Sequence, residues 1–428
     1  MKQKRAMGVE PGVCVIGGGL IGLFSALALQ DQGKQVCLIE REEIGGRQGA
    51  SFGNGCWINS GAIMPMSLPG LWREVPGYLL NPNGPFTIRW QCLPSLAGWL
   101  LRFLWSGRSW KHVEKQIVER LSLLKDPVEQ YQLRANEAGV EHLILPTGTM
   151  YIYRDRKELE ADSKGWELRR RHNIKVRLIE RQELRHCEPA LASDYRYGML
   201  IEGAATLADP SAFCRALGDL FVSRGGQVLK AEVNDFELKS GNLTGVLTNL
   251  GKISCNQAVI AAGAWSKTLA AKLGDHIPLI SERGYHITIK DPGFTINHGM
   301  MHAEGKMAIV PTLSGLRLAG QVELAGLDAA PRWQRAQILL EYAKRSFPQL
   351  RDKIEQGEHD MWMGHRPSTP DSMPVIDRAS RCPNIVYAFG HGHTGVSMAP
   401  ATAVFVSKLL NNVHFSDETI RPFSAKRF

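Results

Sequence analysis

The chain has 428 residues, 44% apolar and 22% charged, which is ordinary for a soluble globular protein of one large or two intimate domains. Its 51 Lys+Arg against 42 Asp+Glu leave +9 with histidines neutral. That excess is spread along the chain, so it fits an anionic substrate or a membrane surface and argues against a nucleic-acid partner.

The eight cysteines (Cys14, Cys37, Cys56, Cys92, Cys187, Cys214, Cys255, Cys382) include no C-x-x-C pair. A zinc cluster or redox dithiol is therefore not expected, and a reducing compartment is. No apolar run reaches about 18 residues, so no transmembrane helix is expected. The basic start "KQKR" (Lys2–Arg5) before an apolar run imitates a signal peptide. Glu10 and Pro11 interrupt the imitation and the glycines that follow are spaced for another purpose, so the segment is read as mature protein. The other basic cluster, "LRRRH" (Leu168–His172), reads as a solvated helix face.

The first predicted unit is "VCVIGGGLIGLFSALALQDQGKQVCLIE" (13–40). A short buried strand ends in a turn carrying Gly17, Gly19 and Gly22. A helix opening on Leu20 and Ile21 runs to Gly33, and a second strand ends on Glu40. That is G-x-G-x-x-G between strand and helix with an acid at the right distance, the context that makes the motif a dinucleotide site. Gly17 permits the tight turn, Gly19 lets a pyrophosphate approach the backbone, and Gly22 lets the helix pack on the strand. The helix N-terminus offers unpaired N–H groups to the phosphates. Glu40 can accept from ribose hydroxyls and would repel a 2′-phosphate. These features do not choose between FAD and NAD.

Next comes a glycine-rich loop, 45–65, too long for a connection and too uncharged for a linker. "PSLAGWLLRFLW" (94–105) and a long amphipathic helical region follow. "SLAGWLLRFLWSGRSWK" (95–111) reads as a buried helix, with a membrane-surface helix as the alternative. "TGTMYIYRD" (147–155) is a strand and "RQELRHCEPAL" a helix and turn. A further helix–glycine–strand unit starts near Asp209, and "CNQAVIAAGAWSKTL" (255–269) is a buried strand opening a helix at Trp265 and Ser266. Residues 277–362 alternate as antiparallel strands with one helix. "NIVYAFGHGHTGVSMAPATAVFVSKLL" (384–410) returns to strand, glycine turn and helix. Dinucleotide-type segments at the start, middle and end predict two interleaved domains: 1–90, 205–276 and 363–428 for the cofactor, 91–204 and 277–362 for the substrate.

Taken together, "VIGGGLIG…LIER", "ASFGNGCWINSGAIMP", "WLLRFLW", "PTGTMYIYRD", "CEPAL", "VIAAGAWS", "RGYHITI", "GHRPSTPDSMPVI" and "GHGHTGVSMAPATA" cover nearly the whole chain. In that order they resemble the flavin-dependent amine and D-amino-acid oxidoreductases, most of all the bacterial D-amino-acid dehydrogenases. The resemblance implies an α/β fold in which a glutathione-reductase-type, Rossmann-like FAD domain is interleaved with an antiparallel-sheet and helix substrate domain. It places Glu40 and Arg41 at the adenosine ribose, Val233 at the adenine, and Ser51, Asn54 and Gly55 beside the flavin ring. Ala262, Gly263 and Trp265 fall at the family's A-x-G-x-W flavin contact. Gly390, His391, Gly392, Thr394, Gly395 and Val396 fall where the last helix begins, facing the flavin N1/O2 edge. Arg366 matches the G-x-R-P arginine that binds the substrate carboxylate in glycine-oxidase-like members. Those members carry a second arginine where this chain has His393.

The chemistry agrees with that placement. Moving a hydride from Cα to flavin N5 requires the two atoms close and aligned. A guanidinium grips an α-carboxylate through two parallel hydrogen bonds, and three prolines after Arg366 stiffen its far side. Arg366, Tyr285 and His393 are the expected catalytic residues. Tyr285 and His286 read either as pocket lining or as a packing pair. His391 and His393 form H-x-H without acids or cysteines nearby, so no metal is expected. The cofactor is expected to be non-covalent FAD.

The expected reaction converts a D-amino acid into an imino acid that hydrolyses to a 2-oxo acid and ammonia. A quinone or respiratory acceptor is expected to take the electrons, in the cytoplasm or at the inner face of the cytoplasmic membrane. The rivals are a glycine, sarcosine or cyclic imino-acid oxidase, an NAD dehydrogenase, and a non-catalytic flavin subunit.

Overall fold

The computed structural model describes residues 12–81, 83–413 and 415–428, so the Lys2–Arg5 cluster and Glu10–Pro11 lie outside the described residues. Strand β1 (Val13–Ile16), helix α1 (Leu20–Gln30) and strand β2 (Val36–Glu40) open the chain. Helices α2 (Leu93–Ser106) and α3 (Trp110–Leu121) follow, then strands β3 (Gln227–Lys230) and β4 (Gln257–Ile260). The elements closest to the site are β5 (Ile280–Ile289), β6 (Gly315–Leu324), β7 (His359–Ser368), β8 (Val375–Ala379), β9 (Cys382–Phe389) and α4 (Gly395–Leu410).

Two large sheets organise these elements. The first has six strands in the order β3-β2-β1-β4-β9-β8, parallel except for the β8–β9 hairpin. Parallel neighbours need crossovers, so the chain leaves and re-enters this sheet, and its segments come from the start, middle and end of the sequence. β1 is buried along its whole length and β4 from Ala258 to Ile260, which suits their uncharged, apolar composition. The second sheet has nine strands, with β7, β5 and β6 antiparallel at one end. The helix Gln334–Ser346 buries Leu339, Leu340 and Ala343 against it.

Sheet membership does not follow the expected segments everywhere. Phe86–Ile88, assigned to the cofactor segment, pairs with β6 of the second sheet. β7 crosses the 362/363 boundary and carries Arg366 into that same sheet. α3 and the helix Pro127–Glu137, assigned to the substrate segment, instead bury Val113, Ile117, Tyr131 and Ala135 in the core beneath α1. Tyr131 stacks on Phe213 at 5.2 Å and meets Phe24 at 4.9 Å. An amphipathic helix announces an apolar face in sequence but not the surface that will cover it.

Candidate active site

A cavity of about 1240 Å³ runs between the two sheets. At one end stands the glycine turn. Gly17 has φ +110°, and a Cβ there would lie 2.4 Å from the Ala261 carbonyl oxygen. A Cβ on Gly22 would lie 1.8 Å from the Gly17 carbonyl, so both glycines are demanded by backbone packing. Gly19, Leu20 and Ile21 line the cavity. Ser51 Oγ accepts from the Leu20 N–H at 3.0 Å and would be 3.0 Å from a Cβ on Gly19. Glu40 Oε2 accepts from the Gly18 N–H at 2.6 Å, bracing the end of β2 against the turn. Val233 lines the wall beside Glu40 and Arg41. Ala262, Gly263 and Trp265 line it too, and the Arg41 guanidinium sits 3.8 Å above the Trp265 ring.

The glycine-rich loop forms the next stretch of wall. Asn54 donates to the Ser51 carbonyl at 2.7 Å and accepts from the Cys56 N–H at 2.7 Å. Ser51, Asn54 and Gly55 thereby face the cavity. The loop is pinned from the second sheet, where Trp362 Nε1 donates to the Arg47 carbonyl at 2.7 Å. His286 stacks on Trp362 at 4.9 Å and on Phe52 at 6.0 Å. Burial, aided by the Arg317 charge, pushes the His286 imidazole down to about 3, so this stack is neutral at physiological pH. His286 thus proves to be a packing residue.

The far end of the cavity carries charge. Arg366 Nη1 donates to the Gln321 carbonyl at 3.0 Å and Nη2 to the Gly320 carbonyl at 3.3 Å. Its guanidinium lies over Gly284, where a Cβ would approach Nη2 to 2.1 Å. Two of its five N–H donors are occupied by these carbonyls, and the others bond no group among the described residues. Directly across the strands from Arg366 is Glu282, a residue the sequence reading missed. Glu282 is buried, lines the cavity, and its Oε2 lies 2.7 Å from His393 Nε2. Burial alone would raise the Glu282 carboxyl. The hydrogen bond and charge of His393, with the Arg366 charge, outweigh it and hold the group below the usual carboxylate range. The period-two alternation Glu282, Gly284, His286 along β5 was the available signal.

The same alternation corrects Tyr285. Its side chain is fully buried on the opposite face of β5, in the core under the helix Gln334–Ser346, and does not line the cavity. Its hydroxyl donates to Glu323 Oε2 at 2.6 Å and accepts from the Arg332 N–H at 3.1 Å. Glu323 also meets Arg89 at 2.8 Å and Arg283 at 3.6 Å, so Tyr285 belongs to a buried structural cluster. A one-residue step along a strand sends a side chain to the other face.

The last loop is folded onto β7, because Gly392 N–H donates to the Pro367 carbonyl at 2.9 Å and His391 bridges Ser368. Gly390 (φ +85°) makes the bend without lining the cavity, and Gly392 (φ +53°) lines it. His391 Nε2 bonds Thr402 at 2.9 Å, and burial lowers its imidazole to about 3. The two histidines of H-x-H thus engage different partners, and the described residues contain no cluster of three His, Cys, Asp or Glu placed to hold a metal. Thr394, Gly395 and Val396 bring the N-terminus of α4 to the wall. Buried Arg120 on α3 donates to Thr394 Oγ1 at 3.2 Å and to the Ser372 carbonyl at 2.6 Å. Burial lowers its guanidinium to about 10.

A family model described as DAO, FAD dependent oxidoreductase, matches residues 12–409. The chain belongs to this family of FAD-dependent oxidoreductases. It is 40% identical to a D-amino-acid oxidase of Bradyrhizobium diazoefficiens, over 97% of this chain and 98% of that one. It is 30% identical to a D-amino acid dehydrogenase of Paramagnetospirillum magneticum, over 93% and 94%. Among solved structures, L-proline dehydrogenase from P. horikoshii aligns with TM-score 0.74 at 20% identity, covering 98% of each chain. Glycine oxidase from Geobacillus kaustophilus aligns with TM-score 0.72 at 21% identity, covering 98% of this chain and all of that one. These likenesses confirm the fold.

The cavity of this flavoenzyme fits FAD on its own features. The glycine cradle at Gly17 and Gly19 leaves room only while no side chain is present. The N-termini of α1 and α4 open into the cavity near Gly19 and Gly395. The Trp57 indole N–H, on a residue that lines the cavity, has no partner among the described residues.

Proposed function

We propose that this FAD-dependent oxidoreductase oxidises a D-amino acid at its CH–NH2 carbon to an imino acid, which hydrolyses to a 2-oxo acid and ammonia. Bound FAD supplies the hydride acceptor. On this reading Glu40 and Arg41 hold the ribose, Val233 the adenine, and the α1 N-terminus the pyrophosphate. The loop of Ser51, Asn54 and Gly55, the Ala262–Gly263–Trp265 turn and the α4 N-terminus from His391 to Val396 surround the flavin ring. N–H groups at that helix end would stabilise negative charge on a flavin ring held there. Arg366 clamps the α-carboxylate and His393 stands beside it. The observation that carries the reading is the anchored guanidinium of Arg366 in the cavity, with free donors on a chain otherwise built around a dinucleotide cradle. The names of the two curated relatives support a D-amino acid as substrate.

The test is an anaerobic screen of D- and L-amino acids, glycine, sarcosine and prolines for loss of flavin absorbance. Bleaching by D-amino acids is expected. Bleaching by L-amino acids alone, or by none of them, contradicts the reading.

The acceptor is proposed to be a quinone met at the inner face of the cytoplasmic membrane. Trp72, Trp90, Leu101 and Trp105 are exposed on a stretch of chain that also exposes Arg73, Arg102 and Arg108, and Arg108 lies 4.5 Å over Trp105. Aromatic and basic residues together suit a lipid interface. Among the described residues no helix is long and apolar enough to cross a membrane. A second reading, transfer to oxygen, is favoured by the relative named an oxidase. Stoichiometric peroxide formation would select it, and flotation with anionic vesicles plus quinone turnover would select the first.

A further inference from the structure

We propose that Glu282 and His393 form a dyad that takes the proton from the substrate's α-ammonium, with His393 Nδ1 as the acceptor. Glu282 is the positioning residue behind it. The inference rests on the amino-acid reading above and assigns that reaction its base.

An amino acid reaches the enzyme mainly as a zwitterion, and a hydride cannot leave Cα while nitrogen carries four bonds. The ammonium N–H bond must break first, its electron pair staying on nitrogen. When the Cα–H bond then breaks, the hydrogen leaves with both electrons to the flavin, and the nitrogen pair forms the C=N bond of an iminium carboxylate. Water later converts that product to a 2-oxo acid and ammonium. The step therefore needs one proton acceptor close to the carboxylate clamp, because amine and carboxylate share Cα.

The geometry supplies one. Glu282 and Arg366 are direct cross-strand partners on β5 and β7, and both line the cavity. Arg366 directs its hydrogen bonds to the Gly320 and Gln321 carbonyls, which leaves Glu282 to His393. Glu282 Oε2 lies 2.7 Å from His393 Nε2, so in the neutral imidazole that can act as a base the proton sits on Nε2, facing the carboxylate. That leaves the Nδ1 lone pair free, and among the described residues no group bonds it. The His393 side chain is 27% exposed, whereas that of Glu282 is 8% exposed. The imidazole can thus meet a ligand while its carboxylate stays sheltered. A carboxylate behind a histidine fixes its tautomer and stabilises the imidazolium that forms. Among the described residues the charged groups facing Glu282 are His393 from the last loop and Arg366 from β7, and the neighbouring Ser368 on β7 carries no charge.

The test is stopped-flow flavin reduction, anaerobic, by D-alanine, D-methionine or D-phenylalanine, in the wild type, Glu282→Gln and His393→Asn. Pyruvate, which has the carboxylate and no amine, reports the clamp through the flavin spectrum. Both variants should keep their flavin and bind pyruvate within about twofold of the wild type. Their limiting reduction rates near neutral pH should fall on the order of 100-fold. The deficit should shrink about tenfold per pH unit as solution deprotonates the amine. A loss of equal size at every pH, or no loss, would overturn the dyad. The wild type offers a check that needs no variant: if its own rate rises tenfold per pH unit up to the substrate's ammonium pKa, no internal base exists. Failure of every amino acid to bleach the wild type would instead sink the functional reading and this one with it. Reduction of the wild type with unaltered variants would sink the dyad alone.

Discussion

Arg366 enters the cavity with two donors already committed to the carbonyls of Gly320 and Gln321. Its charge is therefore held in place before any ligand arrives, and burial is opposed only by the nearby Glu282. Arg366→Ala should leave the flavin spectrum nearly intact. It should cost on the order of 2–4 kcal/mol in transition-state stabilisation, about 30- to 1000-fold in kcat/KM, when a buried carboxylate loses its partner. Arg366→Lys should recover only part, since a point charge cannot reproduce a two-pronged grip. Steady-state kinetics with amino acids and with carboxylate-free amines checks this: equal losses on both would remove the clamp. Gly19 sets a different limit. A Cβ there would press on Ser51 Oγ at 3.0 Å and stand where a phosphate must approach the backbone. Gly19→Val should purify folded but without flavin, as read from the 450 nm absorbance and far-UV circular dichroism.

At the scale of elements, the pairing of β5 with β7 does the work of assembly. Its register sets Glu282 against Arg366, Gly284 against Gly364 and His286 against Trp362. Each pair shares one face, so two residues along the strand separate the charged pair from the glycine gap, and two more separate that gap from the loop clamp. The gap matters because the Arg366 guanidinium occupies the space a side chain on Gly284 would fill. Gly284→Ala should still fold, with a modestly lowered thermal midpoint, because the colliding atoms are the far end of a long side chain that can move at the expense of its two hydrogen bonds. The displaced guanidinium should raise KM for amino acids about tenfold, roughly 1.4 kcal/mol. Titration of substrate against flavin reduction tests it, and an unchanged KM would show that the clamp tolerates movement.

For the whole molecule, FAD bound in the cavity between the two sheets, as proposed, would be part of the architecture. Gly17 and Gly19 on one sheet, and Trp362 and Arg366 on the other, line one space of about 1240 Å³. A ligand that binds only the folded chain stabilises it by about 2.7 kcal/mol at a hundredfold excess over its Kd. Stripping the flavin should therefore lower the thermal midpoint, and added FAD should restore it in a concentration-dependent way. Calorimetry of the stripped protein with and without FAD measures the difference, and an unchanged midpoint would show that the cavity is rigid without its cofactor. The glycine turn at one end of this cavity was legible in the chain itself. Gly17, Gly19, Gly22 and Glu40 lie within one strand–helix–strand unit, where local backbone demands and short-range spacing decide everything. Arg366 was legible through its motif. Tyr285 was not, because period-two alternation says that neighbours face apart but not which face meets the ligand. Nor was Glu282: its partner His393 is 111 residues away. Only the pairing of β5 with β7, and the folding of the last loop back onto β7, brings a sheltered carboxylate, an imidazole and a guanidinium to one wall. Such contacts are set by tertiary packing of distant strands, which no local pattern encodes.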